Sequence, residues 1–252
     1  FKKIPTRLSV GNTYQEGLRL TSSYNRNSAN LAMNPNFFED HLKLKLNANL
    51  SNENNRFADG VEGGAIRFDP TKPVYDANSA YGGFFQYTDA NGVALNGVNR
   101  NPVAALLQRK NITEVNRIFG NFELDYKFHF FEDMRAVVNV GWDKSKGSGS
   151  NELSKESPDG QRNGNTTSIL TNGSFTEFTS ERENTLLDAY LVYSKSLENF
   201  RAEVTGGYSY QKFTGSSFSS KDYRRYNDAG NQNNYYTETD VVLIGFFGRA
   251  NL

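Results

Sequence analysis

The chain alternates apolar and polar residues with a period of two, in runs of about ten residues. From His41 to Ser51, Leu42, Leu44, Leu46, Ala48 and Leu50 share one phase, and His41, Lys43, Lys45, Asn47, Asn49 and Ser51 share the other. Only an extended strand sorts residues in this way, because successive side chains leave it on opposite faces. The segment ending FGNFELDYKFHF repeats the device, with Ile118, Phe122, Leu124, Tyr126, Phe128 and Phe130 against Asn121, Glu123, Asp125, Lys127 and His129. Phe119 and Gly120 break the phase near its start. After Phe200, Ala202, Val204, Tyr208 and Tyr210 alternate with Arg201, Glu203, Thr205, Ser209 and Gln211. One phase is apolar and the other hydrophilic.

Run length decides which sheet protein this pattern describes. Strands of a soluble sandwich average about five or six residues, whereas a strand that crosses a bilayer needs about nine to eleven. The runs here exceed ten in several places, and aromatic residues mark their ends at Phe37, Phe38, Phe130, Phe131 and Trp142, where a membrane interface would lie. The expectation is an all-β chain: an antiparallel transmembrane β-barrel segment with short periplasmic turns and long extracellular loops, in the outer membrane of a Gram-negative cell. Its mean hydropathy of -0.67 fits, since a barrel with a wet lumen needs apolar residues only in an outer band. No stretch approaches the roughly 18 apolar residues of a spanning helix. The competing reading is a soluble β-sandwich acting as a carbohydrate-binding or adhesin module, whose apolar faces would pack on each other.

Eight strands are expected near residues 6–14, 23–36, 41–53, 113–130, 133–146, 177–195, 200–213 and 237–252. Three connections are short and place an acidic residue beside aromatic or apolar ones: 36–40 (NFFED), 130–133 (FFED) and 196–200 (SLENF). The others, 54–112, 147–176 and 214–236, are long and rich in Gly, Asn, Ser and Asp. Short and long ends therefore alternate, as in an outer-membrane barrel. Within the first long loop, Asn101–Asn111 predicts a short packed helix beginning at Pro102.

Little chemistry is on offer. Lys and Arg total 28, as do Asp and Glu, and no run of one sign suggests a nucleic-acid partner. Cysteine is absent, which removes thiolate metal sites and thiol catalysis. His41 and His129, the only histidines, have no carboxylate cluster in the sequence and are expected to be interfacial or lumen-lining residues. DANSAYGG (76–83) and DANG (89–92) carry oxygen ligands, but Asx turns account for them better than calcium does. No catalytic residue, metal ligand or cofactor is assigned, and the chain is not expected to be an enzyme. Tyr81, Phe84, Phe85 and Tyr87, in the longest loop beside Gly82, Gly83 and Gly92, are the candidate ligand or lid contacts, with loop self-packing as the bland alternative. Lys43, Lys45, Glu123, Asp125, Lys127, Arg201 and Glu203 are expected to form a mixed-sign lumen wall.

Four segments carry a family resemblance: NTYQEGL from Asn12, AIRFDPTKPVYD from Ala65, NPVAALLQRKNITEVNRIFGNFELDYKF from Asn101, and the terminal LIGFFGRANL. They resemble, in order, the SusC/RagA family of TonB-dependent outer-membrane transporters. The resemblance implies a large plugged barrel, of the 22-stranded kind used by outer-membrane transporters. It further implies import of an oligosaccharide or peptide beneath a SusD-like surface lipoprotein, contact with outer-membrane lipid, and energy delivered by the TonB complex. Residues 1–252 are then expected to be one partial barrel, with the plug domain, TonB box and remaining strands outside this chain.

Overall fold

The computed structural model describes residues 4–160, 173–197, 200–222 and 232–252. Among these, nine strands and two short helices follow the order β1 (Thr6–Glu16), β2 (Ser23–Met33), β3 (Asn36–Phe37), β4 (Leu42–Phe57), α1 (Glu62–Arg67), α2 (Pro102–Leu107), β5 (Arg109–Lys127), β6 (Met134–Leu153), β7 (Ser174–Leu197), β8 (Phe200–Asp222) and β9 (Gln232–Asn251). All pairings are antiparallel, in the spatial order β1-β2-β4-β5-β6-β7-β8-β9, and the two-residue β3 pairs with the start of β4. Each strand lies beside its sequence neighbour, the up-and-down topology of a barrel wall. β1 and β9 each have a single partner, so the described sheet is open, and no second sheet faces it among the described residues.

The register carries the alternation of single strands across the whole sheet. Leu46 lies opposite Met33 and Phe122, Phe122 opposite Val140, Val140 opposite Leu187, Leu187 opposite Tyr210, and Tyr210 opposite Ile244. A parallel row through Leu44–Leu124–Val138–Ala189–Tyr208–Phe246 extends this face into an apolar belt, which is widest at β4 and β5, where Ala48–Gly120 and Leu50–Ile118 add to it, and narrower at β7 and β8, where the Ala48 row reaches Thr185 and Lys212. On strands flanked on both sides, Leu50, Ile118 and Leu191 of this face are still 51%, 40% and 44% exposed, a row of large apolar side chains that a nonpolar solvent makes favourable. The belt ends where Ile118 meets Lys144, Lys144 meets Glu183, and Thr214 meets Asp240.

Gly120 explains the break in phase. It faces the belt between Ala48 and Trp142, where a Cβ would stand 2.1 Å from the Asn47 carbonyl oxygen and 2.9 Å from the Trp142 ring. Phe119 faces the other way, with the Arg117 guanidinium 4.6 Å above its ring.

All eight expected strands are present, and most run further than expected. β7 and β8 reach 24 and 23 residues, so the long connections shrink to 58–108, 154–173 and 223–231. Beyond the belt the period-two signal fades, and the ladder continues through backbone pairing with polar cross-strand links such as Lys146–Glu181 (2.7 Å) and Ser217–Thr237 (2.6 Å). Residues 198–199, at the centre of the expected 196–200 turn, lie outside the described residues. At the 34–41 turn, Phe38, Glu39 and Asp40 all adopt left-handed conformations (φ 53°, 52° and 71°). That costs about 1–2 kcal/mol per residue. The His41 N–H donation to the Phe38 carbonyl (3.0 Å) and the edge-on contact of Phe38 with His129 help to offset it.

Candidate functional site

The face opposite the belt is the candidate lumen wall. Lys43 lies opposite Asp125, Lys45 opposite Glu123, Asn47 opposite Asn121 and Asn49 opposite Phe119. Three ion pairs lie on this face: Lys45 with Glu123 at 2.7 Å, Arg135 with Asp125 at 2.6 Å and Lys127 with Glu132 at 2.8 Å. Glu132 is in the 128–133 turn, and the Lys127 hydrogen bond holds its carboxyl below the usual value. An amide ladder crosses the wall, Asn47 donating to Asn121 (3.0 Å) and Asn121 to Asn139 (3.1 Å). Glu203 shares this face, through its pairing with Ser194, while the Arg201 side chain lies outside the described residues.

The wall is not uniformly hydrophilic. Val137 and Val192 face inward yet are 2% and 3% exposed, beside the inward Tyr190, and Tyr190 meets Phe247 at 6.0 Å. The stretch VVLIGFF of β9 is apolar in both phases, so alternation could not separate its inner from its outer residues.

At the short-turn end the register brings together the two histidines that are distant in sequence. The His41 and His129 rings stack at 4.0 Å with planes 12° apart. His41 Nδ1 contacts the Lys127 carbonyl (3.0 Å), and the Tyr126 hydroxyl contacts His129 Nδ1 (2.8 Å). Among the described residues no group of three or more His, Cys, Asp or Glu is placed to hold a metal ion.

The long-loop end is built differently. Residues 58–108 and the strand end around Leu153 form a cap with its own small core of Tyr81, Val93, Ala94, Ala104, Leu106 and Leu153. Asn101, 1% exposed, is its polar hub. Its Oδ1 accepts from the Val103 and Ala104 N–H groups (3.1 and 3.2 Å), capping α2, while Nδ2 donates to the Val74 and Phe85 carbonyls (2.7 and 3.2 Å). The expected helix at Pro102 is therefore present, and Ala104 and Leu106 bury its inner face. Asn101 was visible in the sequence only as the residue before that proline. Asp76 and Asp89 close Asx turns on the N–H groups of Asn78 (3.0 Å) and Asn91 (2.9 Å).

The four aromatic candidates do not form one surface. Tyr81 is 3% exposed; its hydroxyl donates to the Gly92 carbonyl (3.1 Å) and accepts from the Ala94 N–H (2.7 Å). Phe84 packs on Tyr75 at 5.4 Å. Phe85 and Tyr87 meet edge to face at 5.1 Å and share Phe68. All three remain part-exposed on the cap. Two ion pairs tie neighbouring connections to this cap: Arg19 with Glu62 and Arg100 with Asp159. The Arg19 hydrogen bond holds the Glu62 carboxyl below its usual value.

Comparison with known proteins places this geometry. The chain is 31% identical, over its whole length, to the TonB-dependent receptor SusC of Bacteroides thetaiotaomicron. Along its whole length the chain is thus similar to one segment of a SusC/RagA-family TonB-dependent transporter, in the barrel wall. The segment spans 26% of the length of SusC. No family model matches it. Two solved structures share the SusC/RagA barrel fold: the RagAB peptide importer in its closed-closed state (TM-score 0.68, 16% identity) and the RagAB peptide transporter (TM-score 0.67, 18% identity). Each alignment covers 98% of this chain and 28% of that one. An all-β antiparallel wall is thus established, and the soluble sandwich is set aside because a single sheet aligns throughout with transporter barrels.

Proposed function

We propose that this segment is part of the wall of an outer-membrane nutrient importer driven through TonB, which takes up oligosaccharides or peptides with a SusD-like surface lipoprotein as its lid. The observation that carries this reading is the end-to-end match to SusC on a sheet with one apolar belt and one charge-paired, amide-lined face. The belt meets lipid, the amide-lined face solvates the passage, and the cap lies at its outer mouth. On the cap, Phe84, Phe85 and Tyr87 are the proposed lid or ligand contacts, and Tyr81 positions them from beneath through its bonds to Gly92 and Ala94. Part-exposed rings suit either partner, since an aromatic face covers sugars and apolar side chains at low entropic cost.

The full-length parent, expressed with its signal sequence, tests this reading. Outer-membrane fractionation, heat-modifiable gel migration and co-purification with a surface lipoprotein are expected. Soluble protein whose migration is unchanged by heating would overturn the proposal.

A further inference from the structure

On the lumen face just above the belt, three arginines from three different strands border one cleft of about 450 Å³: Arg26 of β2, Arg117 of β5 and Arg182 of β7. Glu53, Phe119, Asp143, Ser145 and Asn184 complete most of its lining. Arg117 and Arg182 both pair with Ser145, one on each side, so they stand two strand spacings apart, about 10 Å, over a small side chain. Gly215 is the partner of Arg182 on its other side and contributes no side chain to the gap.

The three guanidinium groups are spent unequally. Arg117 is fixed: Nε and Nη2 hold the two Asp143 oxygens at 2.8 and 2.6 Å, and the group stacks on Phe119. That leaves its Nη1 edge without a bond among the described residues. Arg26 Nε is buried without a hydrogen-bond partner, at 3.4 Å from Glu53. Arg182 is exposed and has no ion-pair partner among the described residues. The cleft therefore has three cations against two carboxylates, with one carboxylate consumed by a bidentate pair. The exposed Arg182 guanidinium and the free Nη1 edge of Arg117 are the donors that an incoming acceptor can reach.

We propose that this cleft is a subsite for a carboxylate group of the imported solute, carried by an acidic sugar or an acidic peptide. A carboxylate matches the planar guanidinium fork, and a prefixed Arg117 lowers the ordering cost of binding. The proposal rests on the importer reading and narrows its substrate class.

The test uses the detergent-purified full-length parent, immobilised and offered one mixed pool. The pool contains oligosaccharides from neutral and uronic-acid polysaccharides together with a tryptic peptide digest. Mass spectrometry of the retained fraction reads both the charge and the source of what binds. The wild type is expected to enrich carboxylate-rich members, and Arg182→Gln to lose that enrichment about tenfold while neutral retention is unchanged. Arg182→Lys is expected to keep most of it, with heat-modifiable migration showing that both variants fold. Whether the enriched members are sugars or peptides identifies the carboxylate's source. Retention that ignores charge, or that Arg182→Gln leaves unaltered, would overturn the subsite and leave the importer standing. A changed unfolding temperature with an unaltered retained pool would mean that the cleft binds another part of the barrel, and would also overturn it. Retention of nothing would count against the importer itself, and the subsite with it.

Discussion

The belt and the cap of this segment solve the burial problem in opposite ways. In the belt, large apolar side chains of strands paired on both sides, such as Leu50, Ile118 and Leu191, remain 40–51% exposed, and order comes from ladder hydrogen bonds and a surrounding apolar solvent. In the cap, Tyr81, Val93, Ala94, Ala104 and Leu106 are withdrawn from solvent around the Asn101 hub, as in a small soluble domain. Stability of the belt thus depends on lipid, and stability of the cap on side-chain hydrogen bonds and packing. Substitutions confined to one region should leave the other intact.

The largest separation is expected from Gly120→Val. A side chain there collides with the Asn47 carbonyl and Trp142, both belonging to the belt wall, and neither a backbone oxygen nor a packed indole moves cheaply. The heat-modifiable form of the parent should be lost.

A smaller effect within the belt compares neighbours. Leu46→Arg puts a charge at mid-belt and should destabilise the barrel by about 2–4 kcal/mol. Asn47→Arg, one residue on and facing the wall, should cost less than about 1 kcal/mol. Urea unfolding of both variants in lipid vesicles measures the contrast, and equal costs would break the two-face account.

The cap is tested by Asn101→Ala. This removes the α2 cap and the donors to two carbonyls, at a local cost of about 2–3 kcal/mol. Proteolysis should then cut within 58–108, while heat-modifiable migration stays as in the wild type. Loss of both would mean that cap and belt fold as one unit.

The smallest effect is a pH dependence. Because Arg19 lowers the Glu62 carboxyl, the Arg19–Glu62 tie contributes above the ordinary carboxylate value and is lost as pH falls through the lowered one. Amide exchange near 17–22 and 62–67 should speed up under acid conditions, and Glu62→Gln should remove that dependence.

The sequence made the belt legible because lipid on one side and water on the other impose strict alternation, as at Leu42–Leu50. Where that asymmetry ends, legibility ends too: β7 and β8 continue far into residues rich in Ser, Thr and Gly, whose pairing rests on backbone bonds and polar cross-strand contacts that leave no apolar period. The apolar inner residues Val137 and Val192 were missed, since a lumen wall is polar on average but not at each position. The Asn101 hub and the stacked histidines were hidden for another reason. Each depends on partners 16 to 88 residues away, joined only by register and loop folding.

The most direct test of the central claim is a nitroxide scan of Leu44, Lys45, Leu46, Asn47 and Ala48, each replaced singly by cysteine in the parent reconstituted in lipid; this segment contains no native cysteine. Collision with oxygen, which concentrates in lipid, should dominate at Leu44, Leu46 and Ala48. Collision with a water-soluble nickel chelate should dominate at Lys45 and Asn47. Uniform accessibility to the chelate, or no period of two, would contradict a wall with one face in lipid and the other in the lumen.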